Sequence, residues 1–412
     1  AKAAAEKAAA KAVGPFEILK LHNTTPKFPY IKSVPLKLKL APEETYPILH
    51  KEVQEFMSKF IVKMRNTKTY EPVYENISDY KDLVKRLVSK RPYMFMGVKN
   101  KNTKVIDDYF IDRNGKPSFT INANGKWTLK KDFTALSVED YITYDEIPLA
   151  AMISMSSHTP FINNGNRNNE GEVGKTYEKE GVYIGCVGSR LEKAGVMEHK
   201  FLLEHPAQKD TQVDAMYREF FKGGEVVLDL KGGFRLNKDR YTKRMRMTIE
   251  PFLDDAQARG VSSQKNVFVR IVGLGLGVWT PGYGSLSQRD FEHNSKQLAN
   301  LMMGIYHDYV KECPLIKNIE FVWSPYEKKT YTIHNTTFTL LSGEGNPADP
   351  VPEGCLLVAQ FAWDGGSYVG NEYWGKHLDA SGDPAAMCCS AMPELAVPEY
   401  NPGMFDHVRI YG

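Results

Sequence analysis

Apolar positions along the chain fall into two textures. Between Glu44 and Met64, the residues Tyr46, Leu49, Val53, Phe56, Met57, Phe60, Ile61 and Met64 recur at i, i+3, i+4 and i+7 spacing, which predicts a helix. Ser78 to Val88 repeats that pattern over a shorter span. Tyr109-Phe110-Ile111, Phe119-Thr120-Ile121 and Trp127-Thr128-Leu129 then read as strands, broken by turns at Arg113-Asn114-Gly115 and Ala123-Asn124-Gly125. Ser137 to Asp140 has the spacing of a helix N-cap. From about residue 150, strand-like apolar runs alternate with helices, as in an α/β layered domain. Asp214 to Phe221, Tyr241 to Ala258 and Phe291 to Val310 carry helical spacing, whereas Asn266 to Val272, Ile319 to Trp323 and Cys355 to Trp363 read as strands. Asp383-Pro384 supplies the favoured N-cap and first-turn pair for a last helix.

The expected organisation is a helical lead over residues 1–14, an α+β region over 15–150 and an α/β domain over 151–412. The lead, AKAAAEKAAAKA before Val13-Gly14, has high helix propensity but no apolar face beyond alanine methyls, and resembles a semi-rigid spacer. Charge adds little: 53 Lys+Arg nearly cancel 50 Asp+Glu, so a nucleic acid or anionic membrane would need a local patch, and no nucleic acid is expected as a partner. No apolar run approaches the roughly 20 residues of a membrane span. The five cysteines, Cys186, Cys313, Cys355, Cys388 and Cys389, are scattered without a CxxC, which supports neither a disulfide framework nor a zinc site and points to a reducing, cytosolic setting. Cys388-Cys389 reads as two small buried residues in a helix.

Three stretches carry candidate chemistry. In the first, the apolar strand Val267 to Val272 empties into Gly273-Leu274-Gly275-Leu276-Gly277-Val278-Trp279. Glycines there let backbone amides close on an anion such as a diphosphate; the alternative is a glycine-rich turn at a sheet edge. It is neither a GxxxxGK[ST] loop nor a GxGxxG opening directly into a helix. In the second, Asp364 follows the Cys355 to Trp363 strand, and Glu372 and Asp383 come after it in a loop rich in Gly, Asn and aromatic residues. Ligands of open α/β sheets bind beyond the carboxyl ends of strands, so these acids could hold ribose hydroxyls or orient a water, with Asp383 equally readable as a cap. The third joins Asn163, Asn164 and Asn166 to Arg190 and Glu198: carboxamides that read ribose or base edges, an arginine for phosphate, and an acid. An Asn-rich surface loop is the plainer reading of 163–166. No GxSxG or other nucleophile set is readable, and the basic run Lys243-Arg244-Met245-Arg246 reads as a solvated helix face.

Taken together, Asn163–Asn166, the Gly273–Trp279 turn with its long following helix, and the Trp363-Asp364-Gly365…Asn371-Glu372…Gly382-Asp383 block resemble the macrodomain-like ADP-ribose-binding and hydrolase family, in the divergent form of bacterial effectors such as MavL of Legionella. The likeness covers roughly residues 150–412. It implies a mixed α/β/α fold and ADP-ribose as ligand, with no organic cofactor and no metal. The Gly275 and Gly277 amides would lie at the diphosphate, with Asn163, Asn164, Asn166, Arg190, Glu198, Gly273, Val278 and Trp279 as further ligand contacts. Asp364, Glu372 or Asp383 would orient the water that attacks ribose C1″. Val196-Met197-Glu198 looks like part of the poly(ADP-ribose) glycohydrolase signature, yet lacks its triple glycine and second glutamate. The implied activity is removal of ADP-ribose from modified protein; the alternative is a non-catalytic reader. The effector likeness further implies ubiquitin or its conjugating machinery as partner, in a host cytoplasm.

Overall fold

Nine strands join in one mixed sheet in the computed structural model, which describes residues 41–97, 109–124, 127–132, 136–169, 172–204, 211–370 and 389–412. They are β1 (Thr45–His50), β2 (Ser154–Pro160), β3 (Glu180–Cys186), β4 (Asn266–Ile271), β5 (Ile316–Ser324), β6 (Lys329–Ile333), β7 (Thr336–Ser342), β8 (Cys355–Ala362) and β9 (Arg409–Tyr411), in the spatial order β6-β7-β5-β4-β8-β3-β2-β1-β9. Pairing is parallel from β7 through β5, β4 and β8 to β3; β6 joins β7, and β2 joins β3 and β1, antiparallel. The central strands β4 and β8 read as near-continuous apolar runs because both their faces are covered, as parallel strands require. Gly185 in β3 is small for a packing reason: a Cβ there would lie 2.5 Å from the Phe361 ring.

Among the described residues there are five longer helices: α1 (Lys51–Arg65), α2 (Tyr80–Ser89), α3 (Gln212–Phe220), α4 (Lys238–Ser263) and α5 (Gln288–Tyr309). Their starts are chemically marked. Asp79 accepts from the Lys81 and Asp82 amides, Thr211 and Asp214 form a capping box, and Asn237 and Ser287 cap α4 and α5. Helix α4 runs along the sheet, touching β1, β4 and β9, and packs against α5. It extends beyond the expected Tyr241 to Ala258 at both ends.

The helix expected from Glu44 begins only at Lys51. Tyr46 and Leu49 belong instead to β1, which is buried throughout and feeds directly into α1. Apolar spacing carried across that junction mimics one continuous helix, but Pro47 cannot donate a helical hydrogen bond. It sits in β1 where pairing with β9 has not begun, since that register runs from Ile48. The sheet therefore contains β1, from before residue 150, beside strands from after it, and one apolar core spans both. The three strands expected near residues 109–129 lie apart from the main sheet: Tyr109–Ile111 pairs antiparallel with Met94–Gly97, and Phe119–Ile121 pairs antiparallel with Trp127–Leu129. Cys389 is buried beside an isolated bridge between Phe161 and Ser390, not in a helix, because its carbonyl accepts the Ile162 amide at 2.7 Å. Residues 1–14, Cys388 and the helix expected at Asp383 lie outside the described residues.

Candidate functional site

Strands β4, β8 and β3 are parallel neighbours, so their carboxyl ends at Ile271, Ala362 and Cys186 open at one edge of the sheet. The loops that leave them are built against each other. Gly188 lies directly on the glycine turn: a Cβ there would be 2.3 Å from the Gly275 nitrogen and 2.4 Å from the Leu274 carbonyl carbon. Gly275 has φ +71, a conformation that glycine adopts freely. The Leu191 amide donates to the Trp279 carbonyl at 3.0 Å, tying the two loops in register. The turn is also pinned from below, where the Thr280 hydroxyl donates to the Gly275 carbonyl and Ser295 of α5 donates to the Leu276 carbonyl at 2.8 Å. Among the described residues, the N–H groups of Gly275, Gly277 and Val278 have no acceptor. Gly277 and Val278 are exposed; Gly273, Gly275 and Trp279 are half-buried. The arrangement offers free backbone donors to an anion at the carboxyl end of β4.

Beneath the turn lies a chain of buried charges. Arg190 Nη1 donates to Asp364 Oδ1 at 3.1 Å, and Arg190 Nε donates to Glu192 Oε1 at 3.0 Å. Its guanidinium carbon lies 4.8 Å from the Trp279 ring centroid and 5.3 Å from that of Phe95. Burial would discharge this arginine, but the Asp364 and Glu192 carboxylates outweigh that cost and hold it charged. Asp364 also accepts the Gly366 amide at 2.8 Å, and burial pushes its carboxyl up against the pull of Arg190. Glu198 is almost fully buried: Oε1 receives Arg244 Nε at 2.6 Å and Oε2 receives the Arg190 amide at 3.1 Å. Burial pushes its carboxyl up too, opposed by Arg244.

Two stretches, residues 32–217 and 208–408, match the family described as ADP-ribosylhydrolase MavL-like. The chain belongs to the MavL-like ADP-ribosylhydrolase family. Similarity extends to two curated proteins of Drosophila melanogaster. The ADP-ribosylarginine hydrolase CG2909 is 28% identical over 401 residues, spanning 86% of this chain and 76% of that protein. The ADP-ribosylarginine hydrolase CG3568 is 27% identical over the same length, with 75% of it covered.

Within this family member, the structure brings Arg190, Glu198, Asp364, Trp279 and the glycines of the turn together at one edge. It places the asparagines elsewhere. Pro160 at the end of β2 pairs with Glu180 at the start of β3, so Asn163–Asn166 follow at the end of β3 remote from Arg190. Their side chains serve the loop itself. Asn163 Oδ1 accepts the Gly165 amide and its Nδ2 donates to the Glu172 carbonyl; Asn164 Nδ2 donates to Asp349 at 2.7 Å; Asn166 Oδ1 accepts the Asn168 amide. Glu372 and Asp383 lie outside the described residues. Among the described residues, no group of three or more His, Cys, Asp or Glu is disposed to hold a metal ion, and no helix is long and apolar enough to cross a membrane.

Three contributors escaped the sequence reading. Arg244, expected on a solvated face, is wholly buried: besides Glu198 it donates to the Ala151, Val187 and Gly188 carbonyls. Its position in step with Tyr241, Met245, Thr248 and Phe252 is the signal that this basic residue lies in the buried stripe. Arg91 is also wholly buried, donating to the Leu87 and Ala150 carbonyls with its guanidinium 4.3 Å from the Trp363 ring. Burial pushes it down, opposed mainly by the Asp364 charge. Glu192 is the third.

Proposed function

We propose that this chain hydrolyses the bond joining ADP-ribose to an arginine side chain of a modified protein. In this reading ADP-ribose is held in macrodomain fashion, its diphosphate on the free amides of Gly275, Gly277 and Val278. Those three unpaired donors at the carboxyl end of β4 carry the reading. The named activity of the two Drosophila relatives supports arginine as the linkage. In the reaction, a water oxygen bonds ribose C1″ as the bond from C1″ to the guanidinium nitrogen breaks. One water proton passes to that nitrogen, and the ribose keeps the hydroxyl. Asp364, Glu372 and Asp383 stand as the acids proposed to orient that water. A cytosolic setting is part of the proposal, supported by the free thiols Cys186, Cys313, Cys355 and Cys389.

A second reading, a non-catalytic ADP-ribose reader, draws on one observation: Asp364 and Glu198 are both buried and committed to arginine partners. Release of ADP-ribose from an arginine-modified protein, followed by chromatography beside serine- and carboxyl-linked substrates, separates the two. Arginine-selective turnover supports the hydrolase, whereas micromolar binding without turnover supports the reader. ADP-ribosylated ubiquitin, the partner proposed from the effector likeness, belongs among the substrates tested.

A further inference from the structure

The buried charge chain beside the glycine turn ends on an unused acceptor. Glu192 gives Oε1 to Arg190 Nε, but its Oε2 is buried with no hydrogen-bond partner among the described residues. A carboxylate oxygen left without a donor out of water is costly, and native structures keep such groups where a ligand or water completes them. A second orphan lies on the facing loop: the Ser367 hydroxyl, on a wholly buried residue three positions beyond Asp364, also has no partner among the described residues. Glu192 and Ser367 are thus the loose ends of two loops joined by the Arg190–Asp364 pair.

Position then narrows what Glu192 could receive. The bond from the Leu191 amide to the Trp279 carbonyl sets Glu192 just past the last residue of the glycine turn. A ligand whose diphosphate lay on the Gly275, Gly277 and Val278 amides would therefore reach Glu192 with a part other than the diphosphate. Its surroundings already hold one guanidinium, that of Arg190, between a carboxylate and the Trp279 ring. A second guanidinium meets the same needs: planar, cationic, and a donor to a carboxylate oxygen.

Resting on the arginine-linkage reading, we propose that Glu192 is the specificity-determining residue that receives the substrate's guanidinium through its free Oε2. It would hold the arginine while the bond to C1″ breaks and would make no contact with the ADP-ribose portion. Glu192→Gln is the informative variant, because a glutamine oxygen can still accept from Arg190 Nε while its amide presents N–H groups where the free acceptor stood.

The test measures kcat and KM of wild type and E192Q on an ADP-ribosylarginine peptide and on a serine-linked peptide, with calorimetric affinity for free ADP-ribose and thermal melting of both proteins. The expected result is a fall in kcat/KM of about 10- to 100-fold on the arginine-linked peptide, larger than any accompanying loss on the serine-linked peptide or in ADP-ribose affinity, with the protein still folded at the assay temperature. Equal activity of E192Q and wild type on the arginine-linked peptide overturns the proposal, as does a parallel loss of ADP-ribose affinity, which would make Glu192 a ribose contact. A wild-type protein that releases no ADP-ribose from the arginine peptide refutes the linkage reading itself, a different failure that the same data distinguish.

Discussion

Replacing Gly188 with alanine probes how the glycine turn is held. The added methyl would meet backbone alone: 2.3 Å to the Gly275 nitrogen, 2.4 Å to the Leu274 carbonyl carbon and 2.8 Å to the Gly275 Cα. No side-chain rotation relieves such contacts, so the turn must retreat by about 1 Å to reach ordinary van der Waals separation. Overpacking of this kind destabilises by about 1–3 kcal/mol. A functional cost should accompany it, since an error of about 1 Å in positioning lowers a catalytic rate by as much as about 100-fold. Gly277→Ala is the paired control: nothing lies within 4 Å of its Cβ, so the fold accepts it. Stability of that variant should be unchanged or raised by about 0.4–1 kcal/mol through a less flexible unfolded chain, while the methyl intrudes on the space proposed for the diphosphate. The assay is calorimetric titration with ADP-ribose beside urea unfolding. G188A should lose both stability and affinity, the latter by about 10-fold, equivalent to about 1.4 kcal/mol. G277A should lose affinity alone. Wild-type affinity in both variants would refute the assignment of this turn to the ligand.

Other outcomes follow from the charges around the site. Arg244→Met should destabilise by about 3–5 kcal/mol in urea because it strands Glu198 in the interior; adding Glu198→Gln should recover a substantial part, and no recovery would mean the pair is not what Arg244 stabilises. Burial opposes ionisation of Glu250, yet hydrogen bonds from His50 and Arg246 outweigh it and hold its carboxyl below the ordinary 4.5. The unfolded chain therefore takes up that proton more readily, so this contribution is complete above about pH 4.5 and lost as pH falls through the folded value; Glu250→Gln should flatten the acid side of the stability profile. Burial pushes the Cys186 and Cys313 thiols up to about 12. Iodoacetamide at pH 8 should spare both in the native protein, and the half-buried Cys355 should react ahead of them.

Much of the α/β part was legible because its signals are local. Asn266 to Val272, Ile319 to Trp323 and Cys355 to Trp363 are β-branched and aromatic runs between turns, and each forms a strand within a residue or a few of the expected bounds. What the chain could not announce is pairing between distant segments. Strand β1 was hidden because its apolar residues continue into α1 at a spacing that suits a helix, and its place in the sheet depends on β2 and β9, more than 100 and 350 residues away in sequence. The glycine turn was readable as a loop with room for a ligand; its contact with Gly188 was not, since that needs the fold. Arg244 shows the same limit: a basic run reads as solvent-facing until the helix is laid against a buried glutamate. The asparagines of 163–166 have the composition of a ligand loop, yet that composition serves equally well to close turns with their own side chains.

The proposed seat of ADP-ribose is the carboxyl ends of β3, β4 and β8. Amide hydrogen exchange with and without saturating ADP-ribose tests it most directly. Protection concentrated in residues 273–279, with 188–192 and 363–370 following, is the predicted result. Protection confined to the asparagine loop at 163–169, or none in these loops despite saturation, would contradict it.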